Sequence, residues 1–134
     1  MSSQSPRQPG DGLRILIVDD NVANAQTTGW MVELFDHDYR IAFSAADALA
    51  TAAAYRPNLA MLDIGLPDMN GFDLCQALQG GPGGRDCVYI AQTGWDEPSY
   101  RERAVDAGFS EYLLKPFSVE KLEAVLNKFH PDKA

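Results

Sequence analysis

Asp19, Asp20, Asp63, Thr93 and Lys115 each follow or close a short apolar run: Arg14-Ile-Leu-Ile-Val-Asp19, Leu59-Ala-Met-Leu62, Cys87 to Gln92, and Tyr112 to Leu114. If these runs are neighbouring strands of one sheet, three carboxylates, a hydroxyl and an ammonium meet at one end of it. At about 4 Å and an effective dielectric near 20, each like-charged pair costs on the order of 4 kcal/mol. Such a cluster needs a cation to offset it. Mg²⁺ suits one or two carboxylates, waters and a phosphoryl oxygen. Asp20 and Asp63 are the candidate direct ligands, with Asp19 acting through water and the Gly65 carbonyl as a further candidate. Lys115 supplies a point charge and Thr93 a hydroxyl able to donate to a phosphoryl oxygen. Together these parts suit phosphoryl transfer, in which a carboxylate, here Asp63, can act as nucleophile and form an aspartyl phosphate.

The elements that would position these residues alternate along the chain. The Ile15–Val18 run is β-branched and apolar, as a strand buried on both faces should be. From Asn21 to Phe35 the chain reads as a helix, with Met31, Leu34 and Phe35 on its apolar stripe and the small Ala23 and Ala25, although Thr27, Thr28 and Gly29 weaken its propensity. Tyr39 to Phe43 is a second strand. Ser44 with Asp47 resembles a capping start for an Ala-rich helix through Tyr55, which Pro57 cannot continue. Leu59–Leu62 is the third strand, and a loop from Ile64 to Gly71 leads to a helix from Phe72 to about Gln79. Gly80 to Gly84 reads as a mobile loop. After the fourth strand, a charged helix from Glu97 to Ala107 stops at Gly108, and the fifth strand ends at Lys115-Pro116. Ser118 caps a last helix with Val119, Leu122, Val125, Leu126 and Phe129 on one face. Five βα units imply an α/β fold: a parallel sheet covered on both faces, with its ligand site at the strand C-termini.

The 134 residues suit a single domain, and 46% hydrophobic with 22% charged residues is ordinary for a globular chain. A net charge of −8 opposes direct binding to nucleic acid. The apolar runs are far short of the roughly 20 residues needed to span a bilayer, and the N-terminus has no signal-peptide core, so the expected location is cytoplasmic. Residues 1–12, rich in Ser, Pro, Gly and Gln, read as a flexible leader, residues 13–130 as the domain and 131–134 as a short tail. Cys75 and Cys87 lack metal or redox spacing and read as reduced packing residues. His37 and His130 read as surface or helix-end residues.

Val18-Asp-Asp-Asn21, Met61-Leu-Asp-Ile-Gly-Leu-Pro-Asp-Met-Asn-Gly71, Gln92-Thr-Gly94 and Leu114-Lys-Pro-Phe117 together resemble the signature of response-regulator receiver domains in two-component signalling, over roughly residues 13–129. The resemblance implies a doubly wound, flavodoxin-like sheet of five parallel strands in the order 2-1-3-4-5. It implies a Mg²⁺-assisted phosphoacceptor at Asp63, a signalling protein rather than an enzyme that turns over an external substrate. The phosphoryl donor would be a sensor histidine kinase or a histidine phosphotransfer protein. It further implies that Thr93 and Tyr112 rearrange on phosphorylation to remodel the α4-β5-α5 face, and that the bond before Pro116 is cis. The Asp19-Asp-Asn-Val-Ala-Asn24, Leu66–Gly71 and Thr93–Trp95 segments look closest to receivers of hybrid histidine kinases. The chain is then either a stand-alone regulator with a downstream protein partner or a receiver excised from its parent kinase.

Other readings fit less well. A haloacid-dehalogenase-type phosphatase uses the same residue kinds but needs a second acid two positions after its nucleophile, where this chain has Gly65. A receiver that only binds partners would not need all five key positions intact. Gly80–Gly84 lacks the ending of a phosphate-binding loop. A tryptophan such as Trp30 is more often core than interface, yet it lies off the stripe of its helix, and the alternative is an exposed anchor for a docking partner. Trp95, two positions beyond Thr93, would shield an acyl phosphate from water.

Overall fold

In the computed structural model the described residues are 12–129. The C-terminal tail, His130 and all of the leader but Gly12 lie outside them. Five strands form one parallel sheet: β1 (Arg14–Val18), β2 (Asp38–Ala42), β3 (Leu59–Asp63), β4 (Val88–Thr93) and β5 (Glu111–Leu114), in the order β2-β1-β3-β4-β5. The helices between and after them are α1 (Val22–Leu34), α2 (Ala45–Tyr55), α3 (Gly71–Gln79), α4 (Pro98–Ala107) and α5 (Val119–Phe129).

Alternation along the central strands builds two cores. Leu16, Val18, Ala60, Leu62 and Ala91 pack with the buried faces of α2, α3 and α4. Ile15, Ile17, Met61 and Ile90 point the other way, against α1 and α5. Each side chain of this size, fully buried, contributes roughly 1.5–3 kcal/mol, so both faces of β1 and β3 stabilise the sheet. The strands are apolar on both sides because helices cover both.

Helix ends follow local chemistry. Asn21, Ser44 and Asn70 accept from the backbone N–H groups of Asn24, Asp47 and Asp73, and Ser118 Oγ accepts from Lys121 N at 3.0 Å. Gly108, with φ of 108°, ends α4 in the left-handed region that a side chain would strain.

Two local expectations are corrected. The buried face of α1 is Ala25, Thr28, Gly29 and Val32, with Met31 and Phe35 partly buried against the same core, while Leu34 is 71% exposed. Small residues there let α1 approach β2: a Cβ on Gly29 would lie 2.6 Å from the Tyr39 ring. His37 is buried rather than on the surface, and its Nδ1 accepts from Leu13 N at 2.9 Å. The Gly80–Gly84 loop is exposed at Gly80, Pro82 and Gly83, and its end at Gly84 is buried. It leads into a 3-10 turn at Gly84–Asp86, and the buried Gly84 carbonyl accepts from the Tyr89 hydroxyl at 2.9 Å.

Candidate functional site

β1 delivers Asp19 and Asp20, β3 delivers Asp63, and β4 delivers Thr93, all at the same sheet edge because the strands are parallel and in register. Asp19, Asp20 and Asp63 each offer a carboxylate oxygen, and these lie within 4.8 Å of one another. Asp19 and Asp63 are buried, whereas Asp20 is exposed. Lys115, just beyond β5, reaches both buried acids: its Nζ donates to Asp19 Oδ2 at 2.9 Å and to Asp63 Oδ2 at 3.1 Å. The second oxygen of Asp19 accepts from Asn21 N, and that of Asp63 from Gly65 N, each at 3.0 Å. The Lys115–Pro116 peptide bond is cis.

One ammonium against three carboxylates leaves an excess of negative charge. Burial pushes the Asp19 carboxyl above its ordinary value, and the Asn21 N–H and Lys115 only partly reverse this. Burial also works against the charge on Lys115, but Asp19 and Asp63 outweigh it and raise its value overall. The cluster is an all-oxygen donor set, the kind that hard divalent cations take, so it could hold a metal ion.

Thr93 is buried at the end of β4, and its Oγ1 accepts from Trp95 N at 3.2 Å. The Tyr112 hydroxyl donates to the Trp95 carbonyl at 2.7 Å, and the Tyr112 ring lies 4.6 Å beneath the Arg101 guanidinium. Thr93 and Tyr112 are thus linked through one backbone unit, that of Trp95. The Trp95 indole itself is 62% exposed. Beside the acidic cluster a cavity of about 330 Å³ opens between α1 and the end of β5, lined by Asp19, Asn24, Thr28, Gln92, Lys115 and Phe117.

The loop carrying Gly65 folds back tightly. Gly65 bridges to Asn70, and Gly71 N donates to Ile64 O at 2.8 Å. A Cβ on Gly71 would lie 2.6 Å from the Asp63 carbonyl, so only glycine allows this return. Asp68 at the loop's tip accepts from Ala45 N and Ala46 N at 2.9 and 3.0 Å, which ties the loop to the start of α2 and holds the Asp68 carboxyl below its ordinary value. Sequence reasoning missed this residue. Its partners lie over twenty positions away, and no local pattern announces them.

Residues 15–127 match the family model of the response regulator receiver domain. The chain is 32% identical over 126 residues to response regulator MprA of Mycobacterium tuberculosis, covering 91% of this chain and 54% of that protein. It therefore spans about half the length of the curated relatives it matches. A CheY-like receiver domain protein from Methanospirillum hungatei JF-1 superposes with a TM-score of 0.83 at 29% identity, covering 91% of this chain and 96% of that one. The receiver domain of sensor histidine kinase PA1611 from Pseudomonas aeruginosa PAO1, a structure with magnesium coordinated in its active-site cleft, superposes with a TM-score of 0.79 at 26% identity, covering 88% and 97%. Regulators and a kinase receiver both appear among these relatives, so neither kind is singled out. Sheet order and sequence agree on one assignment: the chain belongs to the response regulator receiver domain family of two-component signalling.

Proposed function

We propose that this domain accepts a phosphoryl group from a phosphohistidine onto Asp63, assisted by Mg²⁺ bound among the strand-end carboxylates. The observation that carries this reading is Lys115, held between the carboxylates of Asp19 and Asp63 beside the exposed Asp20. Asp20 and Asp63 would be direct ligands. Asp19 would act through water, and the Gly65 carbonyl would complete the protein's share. The metal when bound would neutralise charge on the phosphoryl oxygens. An oxygen of Asp63 attacks phosphorus, the O–P bond forms as the P–N bond breaks, and the donor's ring, protonated on its other nitrogen, leaves as neutral imidazole with the bonding electron pair. Lys115 remains protonated throughout and balances the charge gathered on Asp63. The protein acts as a phosphoacceptor and assists only its own phosphorylation and dephosphorylation.

In the switch we infer, the Thr93 hydroxyl turns to the new phosphoryl group. It gives up its bond from Trp95 N, and the Trp95 carbonyl shifts with it, loosening the Tyr112 hydroxyl. The phosphoryl group would thereby bias two packings of the α4-β5-α5 face. The donor is a sensor histidine kinase or a histidine phosphotransfer protein in the cytoplasm. Trp30, 62% exposed on α1 and one turn before the exposed Leu34, offers that donor an aromatic anchor. Output would pass to a downstream protein partner or to a kinase in the same parent chain.

Intact mass after incubation with acetyl phosphate and Mg²⁺ tests the reading. The wild type is expected to gain one phosphoryl group, while Asp63→Asn and an EDTA control gain none. A gain in Asp63→Asn overturns the assignment of the acceptor. No gain in the wild type from acetyl phosphate or a phosphohistidine donor leaves a binding module without phosphorylation.

A further inference from the structure

Gln92, in β4 one residue before Thr93, is 1% exposed and lines the cavity beside the acidic cluster together with Asp19, Thr28 and Lys115. Its Nε2 donates to the Val18 carbonyl at 3.2 Å and to the Met61 carbonyl at 3.4 Å. Two acceptors fix the direction of the amide, because an oxygen turned towards them would face only lone pairs. Oε1 is then left buried with no hydrogen-bond partner among the described residues. An apolar side chain of the same size would avoid that penalty, so stability alone does not explain a glutamine here.

The positions of its partners suggest what the amide does. The Val18 carbonyl belongs to the peptide that carries the Asp19 nitrogen, and Met61 lies two residues before Asp63. Gln92 thus reaches across β3 to β1 and bonds to both strands next to their acidic ends. Its own carbonyl accepts from Ile64 N at 3.2 Å, which holds the residue after Asp63 as well. Carboxylates within 4.8 Å of each other push these ends apart. Lys115 draws the side chains together from above, and Gln92 ties the backbones together from within the sheet.

We infer that Gln92 is a positioning residue: by bonding the Val18 and Met61 carbonyls it sets the spacing of the β1 and β3 ends, and so the gap in which Asp19, Asp20 and Asp63 receive a divalent cation. This rests on the metal-assisted phosphoacceptor reading above. A residue that touches no ligand acts here through the peptides that carry the ligands, as outer partners of metal sites do.

Gln92→Met keeps the length and volume of the side chain and removes both polar atoms. Thermal unfolding of the full chain is followed without metal and then across a Mg²⁺ titration, which yields both intrinsic stability and Mg²⁺ affinity. The expected result is a metal-free midpoint equal to or above that of the wild type, with Mg²⁺ affinity weakened on the order of 10-fold. A folded Gln92→Met with unchanged Mg²⁺ affinity overturns the inference. Gln92→Leu serves as the second variant, and if both lose cooperative unfolding, the side chain is a determinant of the fold and the positioning role is overturned. A wild type with no response to Mg²⁺ overturns the metal-assisted reading itself, and this inference with it.

Discussion

Replacing Asp63 by Asn removes one charge from a cluster in which repulsion and attraction nearly balance, and the structure sets the sign of the result. The Asp63 carboxylate has two like-charged neighbours, Asp19 and Asp20, with ligand oxygens within 4.8 Å. At an effective dielectric near 20, each such pair costs about 3.5 kcal/mol or more. Lys115 Nζ, 3.1 Å from Asp63 Oδ2, returns about 5 kcal/mol on the same scale. The remainder is unfavourable by about 1–2 kcal/mol. Asn fits the same space, still accepts from Gly65 N, and leaves Lys115 paired with Asp19. In metal-free, low-salt buffer the melting temperature of Asp63→Asn should therefore exceed that of the wild type. For a domain of this size the gain is about 4 °C per kcal/mol, or roughly 4–8 °C. Added NaCl should shrink the difference. Mg²⁺ at about 100 times its dissociation constant should stabilise the wild type by about 2.7 kcal/mol. The variant lacks one ligand and should gain less, which reverses the order. Calorimetry of both proteins with EDTA and with Mg²⁺ measures each effect. A lower metal-free melting temperature for Asp63→Asn would refute the view that carboxylate repulsion is what a cation offsets here.

Burial pushes the thiols of the buried Cys75 and the half-buried Cys87 up to about 11 and about 12, so at pH 8 roughly one Cys75 in a thousand is a thiolate. Iodoacetamide should leave the native chain unmodified while labelling both in urea, and rapid native labelling of either would contradict their packing. Because burial raises both thiols from the ordinary 9.0, the unfolded chain ionises first. Stability should fall as pH rises above that value. Gly29→Ala should destabilise the domain by about 1–3 kcal/mol in urea titration despite the helical preference of Ala, because the new methyl meets the Tyr39 ring. A gain would mean that the ring yields freely. Trp95→Ala should shorten the lifetime of the phosphorylated form several-fold, read by loss of phosphoryl mass with time, and an unchanged lifetime removes the shielding role.

Much of this domain is legible in the residues because the governing signals are short-ranged. Ser44, Ser118 and Gly108 mark helix ends through bonds or dihedrals within a few residues. Continuous apolar runs such as Leu59–Leu62 mark strands covered on both faces. On α1 the expectation fails at Leu34 alone, since Met31 and Phe35 do pack against the core. Leu34 looks like core by type, yet the close approach of Tyr39 selects the small residues Ala25, Thr28 and Gly29 for the buried face. His37 was likewise read by type, as a surface residue, while its burial depends on Leu13.

The five βα units, the strand-end positions of Asp19, Asp20, Asp63, Thr93 and Lys115, and the excess negative charge they carry are readable from the residues alone, since composition and periodicity act along the chain. The sharing of Lys115 between Asp19 and Asp63, the anchoring of the Gly65 loop to α2 by Asp68, and the reach of Gln92 over three strands beneath the site emerge with the packed fold. Those bonds join residues 22 to 96 positions apart. Their partners are chosen by the order and register of the strands and by helix packing, so no local pattern of residue types can announce them.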